Sequence, residues 1–227
     1  MSPARKLVEA DGEWGISEGA IYSEFIENEK DFYQVKFVPQ HRTFIINGKS
    51  YRLAYLNIGG DWGGTTSGHA FCATGITENF EYVIALKSVW HDAHGTTPEQ
   101  GYKALERFVN EVESLYGRID DIYLDSAAQL MLNMCREKLS KRAGVRNSLK
   151  REIIDRIDFT NAVLEQRRIR IMPGQCVPLA EFLKNAVWDD KVLHKKRLDD
   201  GSYDVDSGDC YEYSLERYFG YIVAEVA

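Results

Sequence analysis

Short β-type runs fill the first part of the chain, and helical spacing takes over later. The segment from Glu13 to Phe25, EWGISEGAIYSEF, carries glycines at 15 and 19 and predicts an irregular lead-in. Strands are then expected at Tyr33 to Val38, Thr43 to Ile46 and Tyr51 to Ile58, with Asn47-Gly48 as the hairpin turn between the last two. After a glycine-rich bend at 59 to 68, two more strands fit, His69 to Thr74 and Tyr82 to Val89. From Pro98 to Tyr116 the apolar positions Tyr102, Leu105, Phe108, Val109, Val112, Leu115 and Tyr116 recur at helical spacing. Thr97 before Pro98 fits an N-cap followed by proline at the first helical position.

Beyond that helix the pattern predicts a strand at Asp121 to Leu124 and helices from about Ala127 to Gln166, broken near Gly144. Arg168 to Met172 reads as a strand stopped by Pro173-Gly174, and Leu179 to Val187 as a short helix. Val192 to Leu198 and Ser202 to Val205 predict a hairpin around Asp199-Asp200-Gly201. A final helix from about Gly208 places Tyr211, Leu215, Tyr218, Phe219 and Ile222 on one face. Early strands joined by tight turns should be antiparallel, and later strands separated by helices parallel. The expected fold class is α/β: a mixed sheet flanked by helices, without repeats or a long linker.

Composition narrows this only slightly. The chain has 227 residues, 44% hydrophobic and 28% charged, enough for one substantial domain. No apolar run approaches the ~20 residues that span a bilayer, and residues 1 to 6 lack the apolar core of a secretory signal. A cytoplasmic protein without a membrane partner is the expectation. Cys72, Cys135, Cys176 and Cys210 are scattered, with no Cys-x-x-Cys pair, and are expected to lie reduced in the interior. His91 and His94 bracket Asp92, but nothing nearby completes a tetrahedral set, and a surface loop is expected there. A net charge of −7 argues mildly against nucleic-acid binding. Against it stand Lys138, Lys141, Arg142, Arg146, Lys150 and Arg151, with no acid among residues 138 to 151, and the later cluster His194-Lys195-Lys196-Arg197. Such patches can face phosphates, or can be solvated surface.

Three places concentrate carboxylates. Tyr55 to Ser67, YLNIGGDWGGTTS, carries an apolar strand to Asp61; Ile122-Tyr123-Leu124-Asp125-Ser126 does the same at Asp125; and Asp204-Val205-Asp206-Ser207-Gly208-Asp209 opens the last helix. Each has an ordinary structural explanation. Asp61 can begin a turn, Asp125 or Ser126 can cap a helix, and Asp206 with Asp209 is close to a capping box. Taken together, two strands ending in aspartate plus an acid at a helix start resemble the ribonuclease H-like nuclease arrangement. Clustered carboxylates repel one another unless cations neutralise them. Hard cations such as Mg²⁺ and Mn²⁺ take oxygen ligands of this kind.

Gly12-Glu13-Trp14, Glu18-Gly19-Ala20-Ile21-Tyr22 and Phe25 resemble the segment joining motor to nuclease in large terminase subunits of tailed bacteriophages. Gly60-Asp61-Trp62-Gly63, Tyr123-Leu124-Asp125-Ser126-Ala127 and Asp206-x-x-Asp209-x-x-x-Tyr213 resemble the three acidic motifs of their nuclease domain. The resemblance implies a ribonuclease H-like fold with an extra β-hairpin near the site. It also implies a lead-in and first strands over residues 1–50 and the nuclease domain over residues 51–227. Asp61, Asp125 and Asp209 would be the catalytic, metal-binding acids, holding two Mg²⁺ or Mn²⁺ ions with Asp61 bridging them. Asp206 would be a fourth ligand, a supporting residue or only a cap, and Lys195, Lys196 and Arg197 of the hairpin candidate DNA contacts. The implied substrate is double-stranded concatemeric phage DNA. The implied partners are the terminase ATPase domain, the small terminase subunit and the portal protein, in the host cytoplasm. No Gly-x-x-x-x-Gly-Lys-Ser/Thr phosphate loop occurs, so an excised nuclease domain that does not hydrolyse ATP is expected.

Other readings remain open at this point. Asp61-Trp62-Gly63-Gly64-Thr65-Thr66 also resembles the first phosphate loop of actin and sugar-kinase-like proteins, although Asp125 is followed by Ser126-Ala127-Ala128 rather than a second such loop. A Holliday-junction resolvase or transposase core would use the same three acids. A structural docking module would use them only as caps and turns.

Overall fold

The computed structural model describes residues 19–63, 68–127, 129–191 and 195–224. The Gly12 to Glu18 part of the lead-in, Gly64 to Ser67 and Val192 to His194 lie outside these described residues. After a helix α1 (Ser23–Phe32), strands β1 (Lys36–Val38), β2 (Thr43–Ile46), β3 (Lys49–Trp62), β4 (Gly68–Thr77) and β5 (Val83–Asp92) follow in antiparallel succession. Asn47 and Gly48, with φ of 49° and 76°, make the tight turn between β2 and β3. Helix α2 (Pro98–Tyr116) begins as its sequence requires, with Thr97 and Gln100 forming a reciprocal capping box ahead of Pro98. Strand β6 (Asp121–Leu124), helix α3 (Gln129–Leu139), strand β7 (Gly144–Asn147), helix α4 (Ile153–Glu165), strand β8 (Ile169–Ile171) and helix α5 (Val177–Asn185) complete the middle of the chain. Helices α6 (Asp206–Tyr213) and α7 (Phe219–Ala224) end it.

The sheet is mixed, as the pattern predicts. β6 runs parallel to the second half of β3, β7 parallel to β6, and β8 parallel to β5. The order through the main body is therefore β7-β6-β3-β4-β5-β8, with β1 and β2 extending the first half of β3. Every residue of β4 is buried, because helices cover both faces. Ala70 and Cys72 point to the layer of α1, α4, α5, α6 and α7, while Phe71 and Ala73 point to α2 and α3. All four cysteines are free and buried.

Several elements differ from the sequence-based expectation. α1 takes over the end of the irregular lead-in, and β3 runs on through Gly59 and Gly60 to Trp62 where a bend was expected. The single final helix is divided into α6 and α7 by a 3-10 turn at Glu216–Tyr218. The break near Gly144 is a strand, not an interruption between helices. A Cβ at Gly144 would stand 2.2 Å from Asp121 Oδ1, so glycine leaves room for the Asp121 side chain beside β7, and four residues are too few to give a period. The hairpin between Val192 and Val205 does not form among the described residues. Gly201 does turn, with φ 78° and Ser202 N–H donating to Asp200 Oδ1. Its first arm pairs elsewhere, however: Arg197 bridges back to Trp188, and Asp189 N–H and Leu198 N–H donate to Lys196 and Val187 carbonyls. In addition, His91 and Asp92 finish β5 instead of lying in a loop.

Candidate functional site

Asp61 and Asp125 are brought side by side by strand register. Gly60 pairs with Leu124 across the parallel β3–β6 ladder, and Asp125 N–H donates to the Gly60 carbonyl at 3.0 Å, so each acid is the next residue along its strand. Both stand at the carboxyl end of the sheet, where open α/β sheets place ligands.

α6 brings the other acids over this end because β3 is bare beneath it. Leu56 and Ile58 face the α2 layer, leaving Asn57 and Gly59 to face α6. Asn57 Nδ2 donates to the Ser214 carbonyl at 3.3 Å, and Thr74 Oγ1 to Ser214 Oγ at 2.9 Å. A Cβ at Gly59 would lie 1.8 Å from the Cys210 carbonyl oxygen, so helix backbone rests on strand backbone there. Neither Asp206 nor Asp209 caps the helix. Asp204 Oδ1 accepts the Ser207 N–H instead, while Asp206 Oδ2 reaches across to the Gly68 N–H of β4 at 2.9 Å.

The electrostatics reflect this crowding. Burial, then Asp209, Asp206 and Asp125, push the Asp61 carboxyl up to about 8, against the opposing pull of Lys150. Burial also raises Asp206 to about 6, with the Gly68 N–H pulling it down and Asp204 pushing it further up. Asp125 and Asp209 are instead matched by cations. Lys150 Nζ stands 2.6 Å from Asp125 Oδ1, which also accepts the Ala127 N–H at 2.8 Å. Asp209 Oδ1 receives Arg156 Nη1 at 3.0 Å and Arg197 Nη2 at 2.7 Å. Arg156 also pairs with buried Glu212 at 2.6 Å, and Tyr22 from the lead-in donates to the other oxygen of Glu212 at 3.4 Å.

Asp125, Asp206 and Asp209 therefore all lie within electrostatic reach of Asp61. Among the described residues, no three carboxyl, imidazole or thiol groups converge closely enough to chelate a metal ion as they stand. The donor set nevertheless suits a hard divalent cation: every candidate ligand is a carboxylate, and burial together with the neighbouring acids raises Asp61 to about 8.

Sequence reasoning missed the basic half of this site. Arg197, expected on the DNA side, is only 3% exposed and lies inside, paired with Asp209. Its inward pull explains why the arm containing it leaves the expected hairpin. Much of the basic run at 138 to 151 is likewise matched internally: Lys138 with Glu99, Arg142 with Glu113, Arg146 with Asp121. The available signal was Arg156, which falls four and seven residues before Thr160 and Val163 on the buried stripe of α4.

No protein-family model matches the chain, and no curated protein matches it. Solved structures do. The large terminase from a thermophilic bacteriophage aligns over 92% of this chain with a TM-score of 0.66 at 18% identity. The chain spans 47% of that protein's length, about half. The nuclease domain of the large terminase from bacteriophage SPP1, solved with bound Mn, aligns over 73% of this chain and 88% of its own, with a TM-score of 0.53 at 18% identity. The large terminase nuclease from thermophilic phage G20c, solved with bound magnesium, aligns over 88% of this chain and 98% of its own, with a TM-score of 0.55 at 11% identity. The fold is thus that of the ribonuclease H-like nuclease domains of large terminases.

Proposed function

We propose that this chain, folded as a large-terminase nuclease domain, is a divalent-metal-dependent endonuclease that cuts double-stranded concatemeric phage DNA during genome packaging. The observation that carries the proposal is the register that sets Asp61 beside Asp125, with α6 holding Asp209 and Asp206 over them. The Mn and magnesium found in the SPP1 and G20c structures support the choice of cation.

Asp61 would be the central holder of the cations, because Asp125, Asp206 and Asp209 all act on it. Asp125 and Asp209 would help to hold them, with Asp206 as a further oxygen donor. Two such cations supply an activated water and stabilise the leaving oxygen in phosphodiester hydrolysis. The residues themselves fix the carboxylates: Arg156 and Arg197 both bind Oδ1 of Asp209. Exposed Lys195 and Lys196 beside the site are the candidate DNA contacts, reading backbone charge with little sequence preference. The ATPase domain, the small terminase subunit and the portal would complete the assembly in the host cytoplasm.

Plasmid cleavage in Mn²⁺, Mg²⁺ or EDTA tests this reading, run on the parent and on Asp61→Ala, Asp125→Ala and Asp209→Ala. Cutting should need the metal and vanish in all three variants with folding retained. Metal-independent cutting, or full activity in Asp61→Ala, would refute it.

A further inference from the structure

Lys150 is set into the acidic pocket by a carboxylate that lies outside it. The loop between β7 and α4 turns at Lys150, whose φ of 50° lies in the left-handed region that disfavours a side chain. Glu216 holds it there. This fully buried residue accepts the Leu149 N–H at 2.8 Å, the Lys150 N–H at 3.1 Å and the Arg151 N–H at 2.8 Å, satisfying three successive backbone donors with one carboxylate. Arg151 Nε closes the clasp on the Glu216 carbonyl at 3.3 Å. The half-exposed side chain of Lys150 then reaches back to Asp125, with its ammonium 2.6 Å from Oδ1. A strained turn fixed by a buried acid, delivering one ammonium to one catalytic carboxylate, is a positioning device.

We propose that Lys150 is a further catalytic residue of the nuclease, contacting the scissile phosphate, and that Glu216 is its positioning residue. The proposal rests on the metal-nuclease reading above. Oδ1 of Asp125 already accepts the Ala127 N–H and the Lys150 ammonium, so a divalent cation seated on that oxygen would displace Lys150 from it. Because Glu216 pins the backbone, the ammonium moves only on its four-carbon stem and stays at the pocket mouth. The anion it meets there is a phosphate of the bound strand. Lys150 donates hydrogen bonds to a non-bridging oxygen and offsets the charge that develops on it. No bond to Lys150 forms or breaks; water and the departing sugar oxygen remain the groups exchanged at phosphorus.

The test compares the parent with Lys150→Met, Lys150→Arg and Glu216→Gln as full chains. Mn²⁺ binding without DNA is followed by calorimetry, plasmid cleavage is measured at saturating Mn²⁺, and melting temperature monitors the fold. Lys150→Met should bind Mn²⁺ several-fold more tightly, having lost a competitor for Asp125, yet cut ~100-fold more slowly. Lys150→Arg should recover part of the rate, and Glu216→Gln should shift both readouts in the same directions by less. A purely structural role would weaken binding and cutting together. Parent-like binding and rate in Lys150→Met overturn the proposal, as does tighter binding with faster cutting, which would make Lys150 a plug. A parent that neither binds Mn²⁺ saturably nor cuts removes the nuclease reading itself, and Lys150's role with it.

Discussion

Gly59→Ala is the sharpest test of how the site is held together. An added Cβ would stand 1.8 Å from the Cys210 carbonyl oxygen and 2.9 Å from Ser214 N, both backbone atoms of α6 and its end. An ordinary carbon–oxygen contact is about 3.3 Å, so α6 must retreat by ~1.5 Å along that line. No side chain can rotate aside to absorb the change. Overpacking of this kind costs about 1–3 kcal/mol. Because Asp209 immediately precedes Cys210, its carboxylate moves with the helix, away from Asp61 and Asp125. A misplacement of about 1 Å at a reacting centre costs on the order of 100-fold in rate. Urea denaturation and plasmid cleavage should therefore both report damage, with cleavage the more severe. Gly220→Ala, where nothing lies within 4 Å, serves as the control and should be neutral or slightly stabilising. Parent-like stability and cutting in Gly59→Ala would mean that α6 is not seated on β3 in this way.

Other outcomes follow from the charge arrangement. Arg197→Met leaves Asp209 and Glu212 to share Arg156 in a buried setting and should cost about 3–5 kcal/mol in urea denaturation, whereas Lys196→Ala should stay within about 0.5 kcal/mol. Asp61 keeps its proton up to about 8 when folded but loses it near 3.8 when unfolded, so the folded state binds more protons between those values. Metal-free stability should accordingly be full below 3.8 and fall as pH rises through 8, as pH-dependent denaturation can measure. Mn²⁺ binding must expel that proton, so affinity should climb toward pH 8 with measurable proton release in calorimetry across buffers; a pH-independent affinity would contradict it. Asp61→Asn should raise metal-free stability at about pH 9 by ~1–2 kcal/mol while abolishing cutting, which denaturation and plasmid assays read side by side.

What could be read from the sequence divides along physical lines. α2 was legible to the residue, because nineteen residues of 3.6 periodicity sit behind a Thr97–Pro98–Gln100 start. β6 and the turn at Asn47-Gly48 were legible because a short contiguous apolar run and positive φ are local properties. The acids were legible as strand ends and a helix start, since Asp61 and Asp125 follow apolar runs. Their cationic partners were not. Lys150 read as one more member of a basic run, and Arg197 as a surface contact, because pairing with Asp125 and Asp209 joins residues distant in the chain or drawn inward by a fold not yet known. β7 escaped for a different reason: four residues with mixed burial give no period, and its signal is the absence of a Cβ at Gly144.

The same distinction explains how this pocket tolerates so much negative charge. Asp61 feels Asp125, Asp206 and Asp209, Asp206 also feels Asp204, and Asp209 in turn acts on Glu212, while Lys150, Arg156 and Arg197 answer them. The two arginines are buried and bind the sides of Asp209 and Glu212 that face the interior, so they hold α6 in place whether or not cations are present. The lysine is half exposed and binds at the open side, on a stem that can leave. With fixed guanidinium groups behind and a movable ammonium in front answering the other acids, Asp61 keeps its proton up to about 8 and is the carboxyl with the greatest need of an added cation. Removing an arginine should therefore be felt first in folding, and removing the lysine first in metal binding and turnover. Equal effects of Arg197→Met and Lys150→Met on unfolding would refute that division of labour.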